Sequence, residues 1–200
     1  SQGYVAKLNE QYDYEIWGLV VEDYVSDNWL DYTHKNDPFN TRDLCLVWGD
    51  NLDDLVLDEI DFSHGEFTCY YQTSNQEAYQ RFNPEQLSNN HLIPADAGIE
   101  RAIKNVRVGD QVRIKGSLVS LEVDMPSGGT WTRGTSVTRD DTGNGACELI
   151  YTRELEVISE ANKLWREINF WSFWIGLLSL LIAVIIFVVE TVQVYYRRVK

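Results

Sequence analysis

A mainly β domain with short helices, followed by one C-terminal transmembrane α-helix, is the fold class that this 200-residue sequence predicts. Three observations predict it. Residues 170–189, FWSFWIGLLSLLIAVIIFVV, contain no charged side chain, and a helix of that length rises ~30 Å, the thickness of a bilayer's hydrocarbon core. Upstream, short β-branched and aromatic runs alternate with turn-forming Gly, Asn and Asp clusters. The run at 111–123 is long, has a glycine near its middle and precedes two further strand-like runs.

Residues 1–13 are polar and read as an N-terminal arm, so the β-rich domain is expected to span 14–158. YEIWGLVV at 14–21 is a buried strand with Gly18 as a possible bulge site. Residues 22–41 form a long polar connection whose aromatics, Tyr24, Trp29, Tyr32 and Phe39, predict that it folds back onto the domain. DLCLVWG at 43–49 is the next strand. The stretch 50–61 then holds six acids, Asp50, Asp53, Asp54, Asp58, Glu59 and Asp61, and its Leu and Ile spacing fits a short amphipathic helix. A strand at 67–72 and a polar stretch at 74–83 follow. Asn83 and Pro84 open one helical turn, as cap and first helical residue. The segment 88–94 reads as a turn entering an extended piece. Residues 96–106 read as a helix capped by Asp96.

In QVRIKGSLVSLEV at 111–123 the apolar positions change parity: Val112, Ile114 and Leu118, then Val119, Leu121 and Val123. Strict period-two alternation forbids this without a bulge or strong coiling, which places an irregularity at Gly116. Strands at 130–138 and 146–158 complete the set. A bent, Gly-kinked strand with a hairpin partner and a closing strand builds a small OB-like or partly open barrel. Residues 159–169 are a helical stem, 170–189 the transmembrane helix and 190–200 a basic tail.

Charge is uneven. Residues 1–100 carry 20 acids and 4 bases, residues 101–169 carry ten of each, and the net charge of the chain is −14. This argues against a nucleic-acid partner, whose phosphates need a basic surface; the acidic surface reads first as a solubility device and second as a docking surface for a basic soluble partner such as a c-type cytochrome. Arg197, Arg198 and Lys200 favour a cytoplasmic C-terminus by the positive-inside rule, leaving the domain periplasmic. An exported domain needs a signal peptide, expected to have been removed. Trp171 and Trp174 at one end, and Tyr195 and Tyr196 at the other, suit the membrane interfaces. Ser172, Gly176 and Ser179 form a small-residue stripe for packing against other transmembrane subunits.

An oxidising compartment permits one disulfide among the three cysteines, with three possible pairings. Cys45 and Cys69 each lie in a strand-like segment and are the expected pair, with Cys147 the spare. Catalytic signals are weak. Asp141-Thr142-Gly143 matches the aspartic-protease tripeptide, but polar residues precede it and no second copy exists, so it reads as a turn. Cys147 with His91 as base is the one nucleophile pairing to weigh, with Ser88 nearby in sequence. His34, His64 and His91 lack metal-ligand spacing, and the 50–61 acids lack the EF-hand pattern, so no metal or cofactor is expected.

The segments DLCLVWGDN, LSNNHLIPA, VRVGDQVRIKGSLV and TRDDTGNGACELIYTREL, taken in order across residues 14–157, resemble uncharacterised bacterial membrane-associated proteins. The resemblance implies a bacterial source and marks 88–94 and 139–147 as characteristic. It implies no activity, cofactor or catalytic residue. Together these readings point to a non-catalytic, single-pass accessory or scaffold subunit of a bacterial inner-membrane complex. A thiol enzyme using Cys147 and His91, or a periplasmic OB-type peptide- or glycan-binding module, is the alternative.

Overall fold

Strand β1, Val5–Tyr24, runs antiparallel along nearly the whole of β6, Gln111–Asp124, and everything else in the domain is arranged around this long pair. The computed structural model describes residues 4–25, 39–65, 68–126, 128–140 and 147–199. It divides into two units, Ser1–Ala161 and Asn162–Lys200. The expected turn at 141–145, with its Asp141-Thr142-Gly143 tripeptide, and the aromatics Trp29 and Tyr32 lie outside the described residues.

The first unit contains β1, β2 (Arg42–Val47), β3 (Asp61–His64), β4 (Cys69–Gln72), β5 (Leu87–Pro94), β6, β7 (Thr130–Arg133) and β8 (Cys147–Ser159). Helices α1 (Asp54–Leu57), α2 (Gln76–Arg81) and α3 (Ala97–Asn105) lie between them. Pairing runs β1-β2-β5-β8-β6, and β6 pairs with β1 again, so five strands form a closed, OB-like ring. Among the described residues, β5–β8 is the one parallel pair. Strand β7 extends β6 at its far end, and β3–β4 is a separate hairpin. The expected mainly β, OB-like class is what the chain adopts.

Inside the ring lie Ile16, Val20, Leu44, Leu46, Leu92, Val112, Ile114, Leu118 and Ile150, joined at one end by Ile103 and Val106 from α3 and the turn after it. Asp96 caps α3, accepting from Gly98 N and Ile99 N, as expected. At the other end of α3, the Arg42 guanidinium donates to the carbonyls of Ile103, Lys104 and Val106 while pairing with Asp23 at 2.6 Å. It thereby satisfies orphan helix-end carbonyls with a cation placed where the helix dipole favours one.

A second cluster (Ile93, Val119, Leu121, Val123 and Leu149, with Tyr4, Ala6, Phe39 and Trp131) packs on the outer face. Strand β6 therefore buries one face in its first half, Val112, Ile114 and Leu118 toward the first cluster, and the other face in its second half, Val119, Leu121 and Val123 toward the second. The parity change expected to distort β6 at Gly116 is absorbed by its neighbours. Gln11 is an extra residue in β1 and Arg153 an extra residue in β8, opposite the Lys115–Gly116 step. Gly116 is nonetheless the point of contact: a Cβ there would lie 2.0 Å from the Tyr151 carbonyl oxygen. Gly18 pairs with Val112 without a register break and is not a bulge.

Residues 5–13, expected as a loose arm, belong to β1. Their polar pattern hides the strand because its partner supplies the ladder and few side chains are buried; Lys7 pairs with Glu122 at 2.7 Å. Sequence reading also missed β3 and α2, whose apolar faces serve a local third cluster of Val56, Ile60, Ala78 and Phe82 with Phe62 and Tyr71. Strand β7 stops at Arg133, five residues short of the expected end. The lobe between β2 and β5 closes at its neck through buried Asn51, which donates to the Asn83 and Gln86 carbonyls and accepts from Asn83 N. The Cys45–Cys69 disulfide, the expected pair, fastens β4 of this lobe to β2 of the ring.

The second unit is α4, Lys163–Val199, one helix long and apolar enough to span a membrane. It begins after Asn162, inside the expected 159–169 stem, while Ser159 still belongs to β8. At 1.5 Å per residue it is about 55 Å long, exceeding a ~30 Å hydrocarbon core.

Gly116→Ala is expected to destabilise the domain at the upper end of the ~1–3 kcal/mol that overpacking costs, read as a loss of thermal midpoint; an unchanged midpoint would show that β6 and β8 do not approach this closely. Cys69→Ser should cost about 3 kcal/mol through lost loop-closure restraint, and added dithiothreitol should lower the midpoint of the parent but not of the variant.

Candidate functional site

Two polar layers interrupt the apolar ring, one on the outer face of β2–β5–β8 and one at the ring end away from α3. The outer layer arises because β5 carries Asn89, His91 and Ile93 on one face and Ser88, Asn90 and Leu92 on the other. The β2–β5 ladder sets Asp43 opposite His91 and Cys45 opposite Asn89. The β5–β8 ladder sets Cys147 beside Asn89 and Leu149 beside His91.

His91 Nδ1 lies 2.7 Å from Asp43 Oδ1, and both side chains are fully buried. Asn40 donates to the same carboxylate oxygen at 2.7 Å. Burial disfavours the imidazolium and lowers the His91 pKa below its ordinary value, despite the pull of Asp43. Burial pushes the Asp43 carboxyl up, but the His91 and Asn40 hydrogen bonds outweigh it and the net direction is down. The pair thus sets a buried carboxylate 2.7 Å from an imidazole whose neutral form burial favours.

Asn89 links this layer to the lobe. His64 Nε2 is 2.7 Å from Asn89 Oδ1, and the Asn89 amide donates to Cys147 Sγ at 3.8 Å. His64 stands opposite Cys69 in the hairpin and stacks on Tyr24. Burial raises the Cys147 thiol pKa. A buried thiol held in its neutral form is a poor nucleophile. The structure therefore puts Cys147 and His91 on one sheet face, gives His91 the acidic orienter that sequence alone did not reveal, and buries all of them. Ser88 faces the opposite side, into the ring.

The second layer closes the open end of the ring. Glu148 points inward from β8 and is 2% exposed. Arg139, from the segment before β8, donates to Glu148 and, at 2.5 Å, to the Tyr14 hydroxyl. Its guanidinium lies over the rings of Tyr14 and Trp48, 5.6 and 5.0 Å from their centroids. Tyr14 is pushed up to about 12, first by burial and then by Glu148, so its hydroxyl keeps its proton. Ser88 bonds to Tyr14 and accepts from Asn90 Nδ2 at 2.8 Å. A cavity of about 380 Å³ adjoins the layer, bounded by Tyr12, Tyr14, Leu118, Val137, Arg139 and Glu148. Sequence reading missed this site; its residues are scattered from 14 to 148, and only ring closure assembles them.

The six acids at 50–61 are all exposed. Two have local duties: Asp53 caps α1 through Leu55 N and pairs with Arg81 at 2.7 Å, and Glu59 accepts from Asn75. Along α4, Trp171 and Trp174 are exposed, Ser179 Oγ donates back to the Ile175 carbonyl, and Arg197 and Arg198 end the helix. The Tyr196 side chain lies outside the described residues.

No protein-family model matches the chain, and no curated protein matches it. Among solved structures, the chain is similar to the mitochondrial single-stranded DNA binding protein Rim1 from S. cerevisiae, with 10% identity, a TM-score of 0.27, and coverage of 75% of this chain and 97% of that one. The exclusion of nucleic acid drawn from charge is corrected by this match to a DNA-binding protein. Net charge averages over the whole chain and does not by itself exclude a partner. At that TM-score the likeness assigns no partner to this chain.

The Asp43–His91 pair predicts acid lability. The folded state resists a proton that the unfolded chain accepts near pH 6.5. The stability contributed by His91 is therefore complete above about pH 6.5 and is lost as pH falls below it, approaching ~1.4 kcal/mol per pH unit. Asp43, lowered in the same sense, adds a second loss only below its ordinary range near 3.8. Thermal midpoints should fall between pH 7.5 and 5.5, and His91→Gln should flatten that slope; an unchanged slope would mean His91 takes up its proton in the folded state.

Proposed function

We propose that the chain is a non-catalytic, single-pass accessory or scaffold subunit of a larger membrane protein complex. The observation that carries the reading is α4, one helix long and apolar enough to span a membrane, with its apolar side chains exposed. The bacterial inner membrane, with the domain periplasmic and the C-terminus cytoplasmic, is the placement that fits best. The Cys45–Cys69 disulfide suits an oxidising compartment, and the closing bases Arg197 and Arg198 suit a cytoplasmic tail. The stripe Ser172, Gly176 and Ser179 would let a neighbouring helix approach closely. The exposed acids at 50–61 would dock a basic soluble protein, a c-type cytochrome among the candidates by charge.

The thiol-enzyme alternative finds little support, since Cys147 and His91 are buried and the Cys147 thiol is held neutral. A ligand-binding module remains the second reading, favoured by the aromatic-lined cavity at the ring's open end.

Gentle detergent extraction should recover the protein with stoichiometric membrane partners, and Gly176→Ile should release them without altering the domain's melting. A monodisperse monomer from native membranes would refute the subunit reading. Docking of a basic partner should weaken steeply with ionic strength and weaken further in an Asp50→Asn, Asp54→Asn, Asp58→Asn variant; salt-independent association would refute electrostatic docking.

A further inference from the structure

A carboxylate buried as deeply as Glu148 is costly without a cation beside it. Arg139, outside the ring's strands, is an ion-pair partner of that carboxylate. It lies on the segment between β7 and β8, which is tied to β8 where Ser136 N donates to the Cys147 carbonyl and Leu149 N donates to Thr135 Oγ1. The receiving groups have a definite chemistry. A carboxylate meets the edge of the guanidinium, the Tyr14 hydroxyl accepts a second bond, and Tyr14 and Trp48 present π faces. Carboxylate geometry and flanking aromatic faces select a planar, delocalised cation over a compact ammonium. Arg139 fills this cage while its side chain stays 36% exposed. The adjoining cavity of about 380 Å³ shares Tyr14, Arg139 and Glu148 with the cage and has room for the groups flanking a second guanidinium.

We propose that the open end of the ring is a guanidinium-binding site, that Arg139 is its internal occupant, and that an arginine side chain of a partner peptide displaces it. Displacement exchanges one guanidinium for another on Glu148, so the buried charge is paired both before and after binding. The internal occupant competes with any ligand and lowers the apparent affinity by the fraction of molecules in which the cage is vacant. The site is independent of the membrane-anchoring reading: it uses only residues of the first unit and would persist if α4 had no partner.

The test uses the full chain in detergent micelles. Arg139→Ala should lower the thermal midpoint, and N-methylguanidinium chloride should restore it, while methylammonium chloride at equal ionic strength should not. Binding of N-methylguanidinium to Arg139→Ala should be at least ~10-fold tighter than to the parent, and Glu148→Gln added to Arg139→Ala should abolish it. Acetyl-Gly-Arg-Gly-amide binding more tightly than N-methylguanidinium identifies a peptide arginine as the fitting source, whereas equal binding supports a guanidinium site but overturns the peptide part of the proposal. Should Arg139→Ala not fold alone, its refolding yield with N-methylguanidinium against methylammonium reads the same selectivity, and Arg139→Lys provides a folded cation-bearing host for the titration. Equal rescue by the two cations, or binding that survives Glu148→Gln, overturns the guanidinium site.

Discussion

Closure of the ring depends on one close approach, that of the Tyr151 carbonyl to the backbone of Gly116. Strand β8 must pair in parallel with β5 on one side and antiparallel with β6 on the other. It meets both demands by bulging at Arg153, and the bulge drives its backbone against β6 where only glycine leaves space. The bulged residue is then put to use. The Arg153 guanidinium reaches across β6 to donate to Ser117 Oγ at 2.6 Å and to Glu10 of β1 at 2.5 Å. The irregularity that allows closure thus also clamps the three strands that close.

Once the ring is closed, its two ends are finished differently. Toward α3, apolar Ile103 and Val106 seal the interior, and Arg42 secures the helix end with three carbonyl bonds. At the opposite end the seal is ionic: Glu148, Arg139, Tyr14 and Ser88 replace apolar packing. An apolar seal is indifferent to what else is dissolved nearby, whereas an ionic one can be exchanged for a ligand of like chemistry. The outer layer differs again. Asp43, His91 and Asn40 are sealed away entirely, and their interaction makes itself felt through proton linkage rather than contact with solutes.

Much of the fold was legible because local chemistry and tertiary structure agree there. Asp96 caps α3, Asn83 and Pro84 open a turn at 84–86, and the apolar runs at 42–47, 111–124 and 147–159 are strands. The charge-free run of α4 was the plainest signal of all. Illegibility had three physical sources. Residues 5–13 are held by a ladder to β6 that leaves no periodic apolar imprint. The double parity of β6 looked like a distortion of that strand, whereas its two halves bury opposite faces against two clusters and the extra residues sit in β1 and β8. The open-end cage joins Tyr14, Trp48, Ser88, Arg139 and Glu148, which no spacing rule connects. Of the weak nucleophile candidates, sequence offered Cys147 and His91 as residues, but neither their common face nor the burial that silences the thiol.

The Cys45–Cys69 bond has a consequence for the order in which the molecule is assembled. Its partners are 24 residues apart, and the lobe between β2 and β5 that it ties to the ring has an apolar cluster of its own. The ring, by contrast, waits for β8, about a hundred residues further along the chain, before its parallel pair can form. A chain emerging N-terminus first into an oxidising space can therefore lock its lobe covalently while the ring is still incomplete. Short-range closure of this kind is fast relative to long-range strand pairing. The crosslink then acts as an early folding checkpoint: β2 reaches the late-arriving strands already carrying its lobe, with Cys45 committed and only Cys147 left as a thiol.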